Sequence, residues 1–182
     1  MSLTPGFTPA EETLRQTILA KDAALRLYLE RNSILSSGDA AHWLHYLATL
    51  KNLLGNFNND VAFVATLLVK AYLAERFKVT NFDAAGKPQG ASGIDIEAIS
   101  ADGKIIVGEL KTTRPYQPNF GAAQRANILK DLVRLANSTA DHRFMFVIDD
   151  DAFRALCTKG FATRAPGVEV VELLGRRSFI YS

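Results

Sequence analysis

Asp95, Glu109 and Lys111 are the residues of this 182-residue chain whose types and spacing could do chemistry. They lie in the segment 93–113, which reads Gly-Ile-Asp-Ile-Glu-Ala-Ile-Ser, then Ala-Asp-Gly, then Lys-Ile-Ile-Val-Gly-Glu-Leu-Lys-Thr-Thr. Ala101-Asp102-Gly103 has the composition of a three-residue hairpin loop, a type I turn followed by a left-handed glycine. That loop pairs Ser100 with Lys104 and, counting back, Asp95 with Glu109. Directly opposed residues point to the same face, and Lys111, two residues beyond Glu109, joins them. A two-residue turn would put the two acids on opposite faces. Two converging carboxylates offer hard oxygen ligands to a divalent cation, usually Mg2+. A lysine beside them can position or deprotonate a water, a combination suited to metal-assisted attack on a phosphodiester.

The other face of this hairpin is Ile94, Ile96, Ala98, Ile106, Gly108 and Leu110, all apolar or small, which makes it core. Ile99, Ile105 and Val107 cover the turn end of the first face. Acids and a lysine in a strand pair covered on both sides need a reason. The elements that must position them follow from periodicity and punctuation. Helices are predicted over 9–32, 40–54, 60–76, 121–137 and 151–158, and strands over 77–83, 94–100, 104–113, 143–148 and 168–174. Thr8 and Glu11 form a capping-box pattern before the first helix, with Pro9 in its first turn. Gly55 closes the second. Alternation of this kind predicts an α/β architecture around a central mixed sheet.

Composition narrows the function classes. The chain is 48% hydrophobic and 22% charged, as in an ordinary globular domain. Its length can bury roughly 70% of the unfolded surface, so no metal or disulfide staple is required. No apolar run approaches the ~18 residues of a membrane helix; Val61–Leu73 is interrupted by Thr66 and Lys70. The first ten residues have neither a basic residue nor an apolar core, so no secretory signal is expected. With one cysteine, Cys157, expected to be an inert buried thiol, a cytoplasmic protein is the expectation. The net charge of +2 does not by itself imply nucleic acid. Between Lys104 and Arg134, however, six basic residues stand against two acidic ones, a balance that could attract phosphate. His42 and His45 read as packing residues, Asp149-Asp150-Asp151 as a capped strand-to-helix turn, and Lys51, Arg176 and Arg177 as solvated charges.

Asp95 followed by Glu109-Leu110-Lys111 on the next strand, with Gly-Ile-Asp-Ile at the start and Lys-Thr-Thr at the end, resembles the PD-(D/E)xK nuclease superfamily. The order helix, three strands, helix, strand over 60–148 is similar to that family's core, and the likeness covers about half of the chain. Ile94 stands where the family's name has proline. The resemblance implies a restriction-endonuclease-like α/β/α sandwich over residues 55–182, with residues 1–54 as an N-terminal helical extension. It implies a Mg2+-dependent DNA endonuclease, of a restriction or related defence system, working as a homodimer. Asp95, Glu109 and the Leu110 carbonyl would bind Mg2+, and Lys111 would orient the attacking water.

Family members often add a carboxylate from the preceding helix. Asp60 is preferred over Glu75, because a return strand over 77–83 antiparallel to the helix would bring the helix start toward Asp95. Gln124, in line with Ile128 and Leu135, is a supporting polar residue by the same resemblance. Arg114, Tyr116, Gln117, Asn119 and Arg125 in one region, and Lys87, Gln89 and Ser92 in the other, are candidates for DNA contact. Two alternatives stand beside this reading: a DNA-binding or assembly protein of the same fold without turnover, and a repair or recombination nuclease.

Overall fold

The computed structural model describes residues 6–34, 38–87, 93–115 and 120–182. Its elements are α1 (Pro9–Arg31), α2 (Ala40–Leu54), α3 (Phe57–Phe77), β1 (Ile96–Ile99), β2 (Ile105–Lys111), α4 (Ala122–Ala136), β3 (His142–Val147), α5 (Asp150–Leu156), α6 (Lys159–Ala162), β4 (Glu169–Glu172) and β5 (Arg177–Ile180). The chain divides into two compact units, Phe7–Val61 and Ala62–Ser182, the latter joined by Gly6. Among the described residues no helix is long and apolar enough to cross a membrane.

The helical unit holds α1, α2 and the first turn of α3. Thr8 Oγ1 accepts the Glu11 N–H at 3.2 Å, and Glu11 Oε2 accepts the Thr8 N–H at 2.8 Å, completing the expected capping box. Asp39 caps α2 by accepting the His42 N–H at 2.8 Å, and Gly55 ends it at φ +57°. The rings of Tyr28 and Tyr46 lie 5.6 Å apart, joining α1 to α2.

The second unit is built on a five-stranded mixed sheet in the order β1-β2-β3-β4-β5. β1–β2 and β4–β5 are antiparallel; β2–β3 and β3–β4 are parallel, joined by α4 and by α5 with α6. Strand alternation sends Ile96, Ile106, Phe144, Phe146 and Val171 to one face, where Val69 and Leu73 of α3 pack. Val107, Met145, Val147 and Val170 point to the other, against Ile128, Leu132 and Leu135 of α4 and Ala152 and Leu156 of α5. The layering is therefore helix, sheet, helix, the mixed α/β class expected.

The hairpin has the expected register. The Ser100 N–H donates to the Lys104 carbonyl at 2.9 Å, the Gly103 N–H donates to the Ser100 carbonyl at 3.0 Å, and Gly103 sits at φ +83°. Ile96 opposes Gly108 and Ile99 opposes Ile105. Gly108 is required for a different reason: a Cβ there would lie 2.9 Å from the Phe146 ring and 3.3 Å from the Phe144 carbonyl. Gly108→Ala should therefore cost about 1–3 kcal/mol by overpacking, read as a lower urea midpoint with an unchanged m-value.

Two expectations are corrected. No strand forms over 77–83. Val79 and Phe82 instead insert into the cluster under α3, and the Ala101 N–H donates to the Phe77 carbonyl at 3.1 Å. The physical cause is spacing: two apolar residues three apart do not make the period-2 alternation of a strand. The last strand, β5, lies outside the predicted elements, and Arg177 within it is no mere solvated charge. It pairs with Asp150 and with Glu172 and lies 4.8 Å over the Phe153 ring. Glu172 also accepts the N–H groups of Leu174 at 3.1 Å and Gly175 at 2.7 Å, closing the β4–β5 turn.

Candidate functional site

The chemistry-bearing side chains gather at the C-terminal end of β2, where α4 crosses the sheet. Asp95 lies one residue before β1, and its Oδ2 accepts the Leu110 N–H at 3.1 Å. That bond holds the Asp95 carboxylate over the end of β2, opposite Glu109 as the register requires. Glu109 is 1% exposed. Burial pushes its carboxyl up to about 7, helped by the charge of Asp95 and by a hydrogen bond between the two groups, against the pull of Lys111 and Arg134. The other buried acids of the sheet are satisfied differently: Glu169 by Arg76 at 2.7 Å, and Glu172 by the turn and Arg177.

Two residues of α4 complete the site, and sequence reasoning missed both. Arg134 Nη2 lies 2.6 Å from Glu109 Oε1 and 2.8 Å from Asp131 Oδ1. Lys111 Nζ lies 2.6 Å from Asp131 Oδ2 and 3.6 Å from Glu109 Oε2. Glu109, Arg134, Asp131 and Lys111 thus form a closed ring of alternating charge, with each carboxylate giving one oxygen to each cation. A signal for Asp131 existed. It stands seven residues after Gln124, on the same line of the helix as Ile128 and Leu135, so a charge there points toward the sheet. Arg134 follows it by three, within reach of a side-chain pair.

The other expected residues are placed as follows. Asp60 is in the helical unit, where its carboxylate takes the Lys21 ammonium at 2.6 Å; the return strand that favoured it is not formed. Glu75 is exposed and pairs with Arg176 at 3.4 Å. Gln124 is half-buried in the first turn of α4. Leu110 is half-buried on the α3 side, with its N–H on Asp95. Arg114 pairs with Asp151 at 3.0 Å and Asp149 at 3.5 Å. Arg125 lies 4.2 Å over the Phe161 ring, and Lys87 donates to the Ile94 carbonyl. Gln89, Ser92, Tyr116, Gln117 and Asn119 lie outside the described residues. Asp149 is the N-cap of α5, as expected, accepting the Ala152 N–H at 3.0 Å. Cys157 is half-buried, and burial pushes its thiol up, away from the reactive thiolate.

Among the described residues no three His, Cys, Asp or Glu side chains group so as to hold a metal ion. The carboxylates of Asp95 and Glu109 are two hard oxygen donors on one face of the hairpin, with the Arg134 guanidinium and the Lys111 ammonium already on Glu109. That donor set suits Mg2+ or Ca2+, with the Leu110 carbonyl as the expected third ligand. No family model matches the chain, and no curated protein matches it.

Proposed function

We propose that the chain is a Mg2+-dependent DNA endonuclease of the PD-(D/E)xK, restriction-endonuclease-like kind, from a restriction or related defence system. The observation that carries the reading is the hairpin register, which opposes Ile96 to Gly108 and so sets Asp95 beside Glu109, with Lys111 on the same face. Asp95, Glu109 and the Leu110 carbonyl would hold Mg2+. A bound Mg2+ there supplies charge neutralisation to the phosphate and acidity to a water. The Lys111 ammonium, steadied by Asp131 at 2.6 Å, orients the attacking water and faces the negative charge that develops on the phosphate oxygens. Water adds to phosphorus and one phosphorus–oxygen bond of the backbone breaks, the water's oxygen and one proton staying with the phosphate and its other proton ending on the sugar oxygen that leaves. A second copy of the chain, related by a two-fold axis, would cut the opposite strand.

The ion-pair ring favours a second reading, a DNA-binding protein of this fold without turnover, since the ring already offsets the charge of Glu109. Cleavage of supercoiled plasmid and of unmethylated phage DNA, with Mg2+ and with EDTA, separates the two. Discrete Mg2+-dependent fragments are the expected result and give the recognition site directly. Nicking or smearing moves the reading to a repair-type or non-specific nuclease. No cleavage of any of these DNAs favours the binding protein. Asp60→Asn belongs in the same assay: a fall in rate assigns Asp60 to the site, and an unchanged rate leaves it the partner of Lys21.

A further inference from the structure

We infer that Arg134 holds the place of the divalent cation on Glu109 and, when that oxygen is taken, turns its guanidinium to a phosphate oxygen of the DNA. The inference rests on the proposed nuclease reading. Its basis is how the donors of Arg134 are used. Nη2 alone makes both ion pairs, to Glu109 Oε1 at 2.6 Å and to Asp131 Oδ1 at 2.8 Å. Nε is buried and has no hydrogen-bond partner among the described residues. A guanidinium carries five N–H donors in a fixed fork that matches a phosphate. A buried donor left unpaired costs free energy, so the guanidinium gains when it turns to an acceptor that its Nε can also reach.

Asp131 is the positioning residue of the pair. It binds Arg134 through one oxygen and Lys111 through the other, at 2.8 and 2.6 Å. When a cation takes Glu109, both side chains lose an acceptor there, and Asp131 keeps them beside the carboxylates instead of releasing them to solvent. Arg134 and the cation therefore compete for one oxygen, while Asp131 works in the cation's favour by giving Arg134 somewhere else to bind. Removal of the two side chains must then shift cation affinity in opposite directions.

Ca2+ titrated calorimetrically into the full-length protein tests this without turnover. Arg134→Gln should bind Ca2+ roughly five- to tenfold tighter than the wild type, and Asp131→Asn more weakly by a similar factor, the range of an ordinary coupling between two sites. Arg134→Lys, which keeps a cation of different reach, should lie between the wild type and Arg134→Gln. In the presence of Ca2+, Arg134→Gln should also bind duplex DNA more weakly despite its tighter hold on the cation. A purely structural role predicts that both Arg134→Gln and Asp131→Asn lose Ca2+ together, or that neither changes; either result overturns the inference. Equal Ca2+ binding by the wild type and Glu109→Gln overturns the cation site itself, and with it the nuclease reading.

Discussion

Lys111→Ala should abolish Mg2+-dependent DNA cleavage and leave the fold standing. The ammonium shares the hairpin face of the two acids, placed two residues beyond Glu109 and held at 2.6 Å by Asp131. Removing a single group that stabilises developing negative charge in a partly dry site typically costs about 10²–10³ in rate. Stability should change far less. Lys111 is partly exposed at the end of β2, and Asp131 keeps its 2.8 Å bond to Arg134 when Lys111 is gone. Asp95→Asn should match the loss of rate, since it removes one of the two carboxylates. Glu75→Gln is the control: its carboxylate is exposed and pairs with Arg176, so cleavage should be unaffected. Rates on a defined duplex, with thermal unfolding of each variant alongside, check all three. Full cleavage by Lys111→Ala would remove the lysine from the chemistry.

Glu109→Gln should be more stable than the wild type at pH 8 and equal to it near pH 4. In the folded chain the Glu109 carboxyl is pushed up to about 7, against 4.5 for an ordinary glutamate. The folded state therefore binds a proton that the unfolded chain has lost. Its contribution to stability is fully present below pH 4.5 and disappears as the pH rises through about 7. The gap corresponds to about 3–4 kcal/mol as an upper bound, at roughly 1.4 kcal/mol per pH unit. The glutamine of the variant carries no charge at any pH, and its amide can donate to Asp95 as the protonated acid does. Urea unfolding at the two pH values reads the difference. Protons and divalent cations compete for the same oxygens, so Mg2+ should bind more tightly as the pH rises through about 7 and should restore the stability the wild type loses there.

The hairpin is legible in the sequence because its register depends on local chemistry. Three loop residues, one left-handed glycine and strict alternation fix which residues oppose one another, and Asp95 and Glu109 follow by counting. The helix cap at Thr8 is legible for the same reason: it is a bond between residues three apart. The return strand over 77–83 fails because β-propensity without alternation does not make a strand, and the preference for Asp60 over Glu75 depended on it. Asp131 and Arg134 are out of reach for another reason. The contact of Arg134 with Glu109 spans 25 residues through the parallel β2–β3 crossover, and nothing local states which turn of α4 meets the end of β2. Only the line Gln124, Ile128, Asp131, Leu135 hints at it. β5 escapes notice because its four residues are all exposed, so no buried face marks it as a strand.

Two carboxylates brought together by one hairpin are proposed to hold a divalent cation. Mg2+ titrated by isothermal calorimetry at about pH 8, above the raised Glu109 carboxyl, into the wild type, Asp95→Asn and Glu109→Gln tests it most directly. One cation per chain in the wild type, lost in both variants while their unfolding stays cooperative, is the predicted result. The same heat from all three proteins would contradict it.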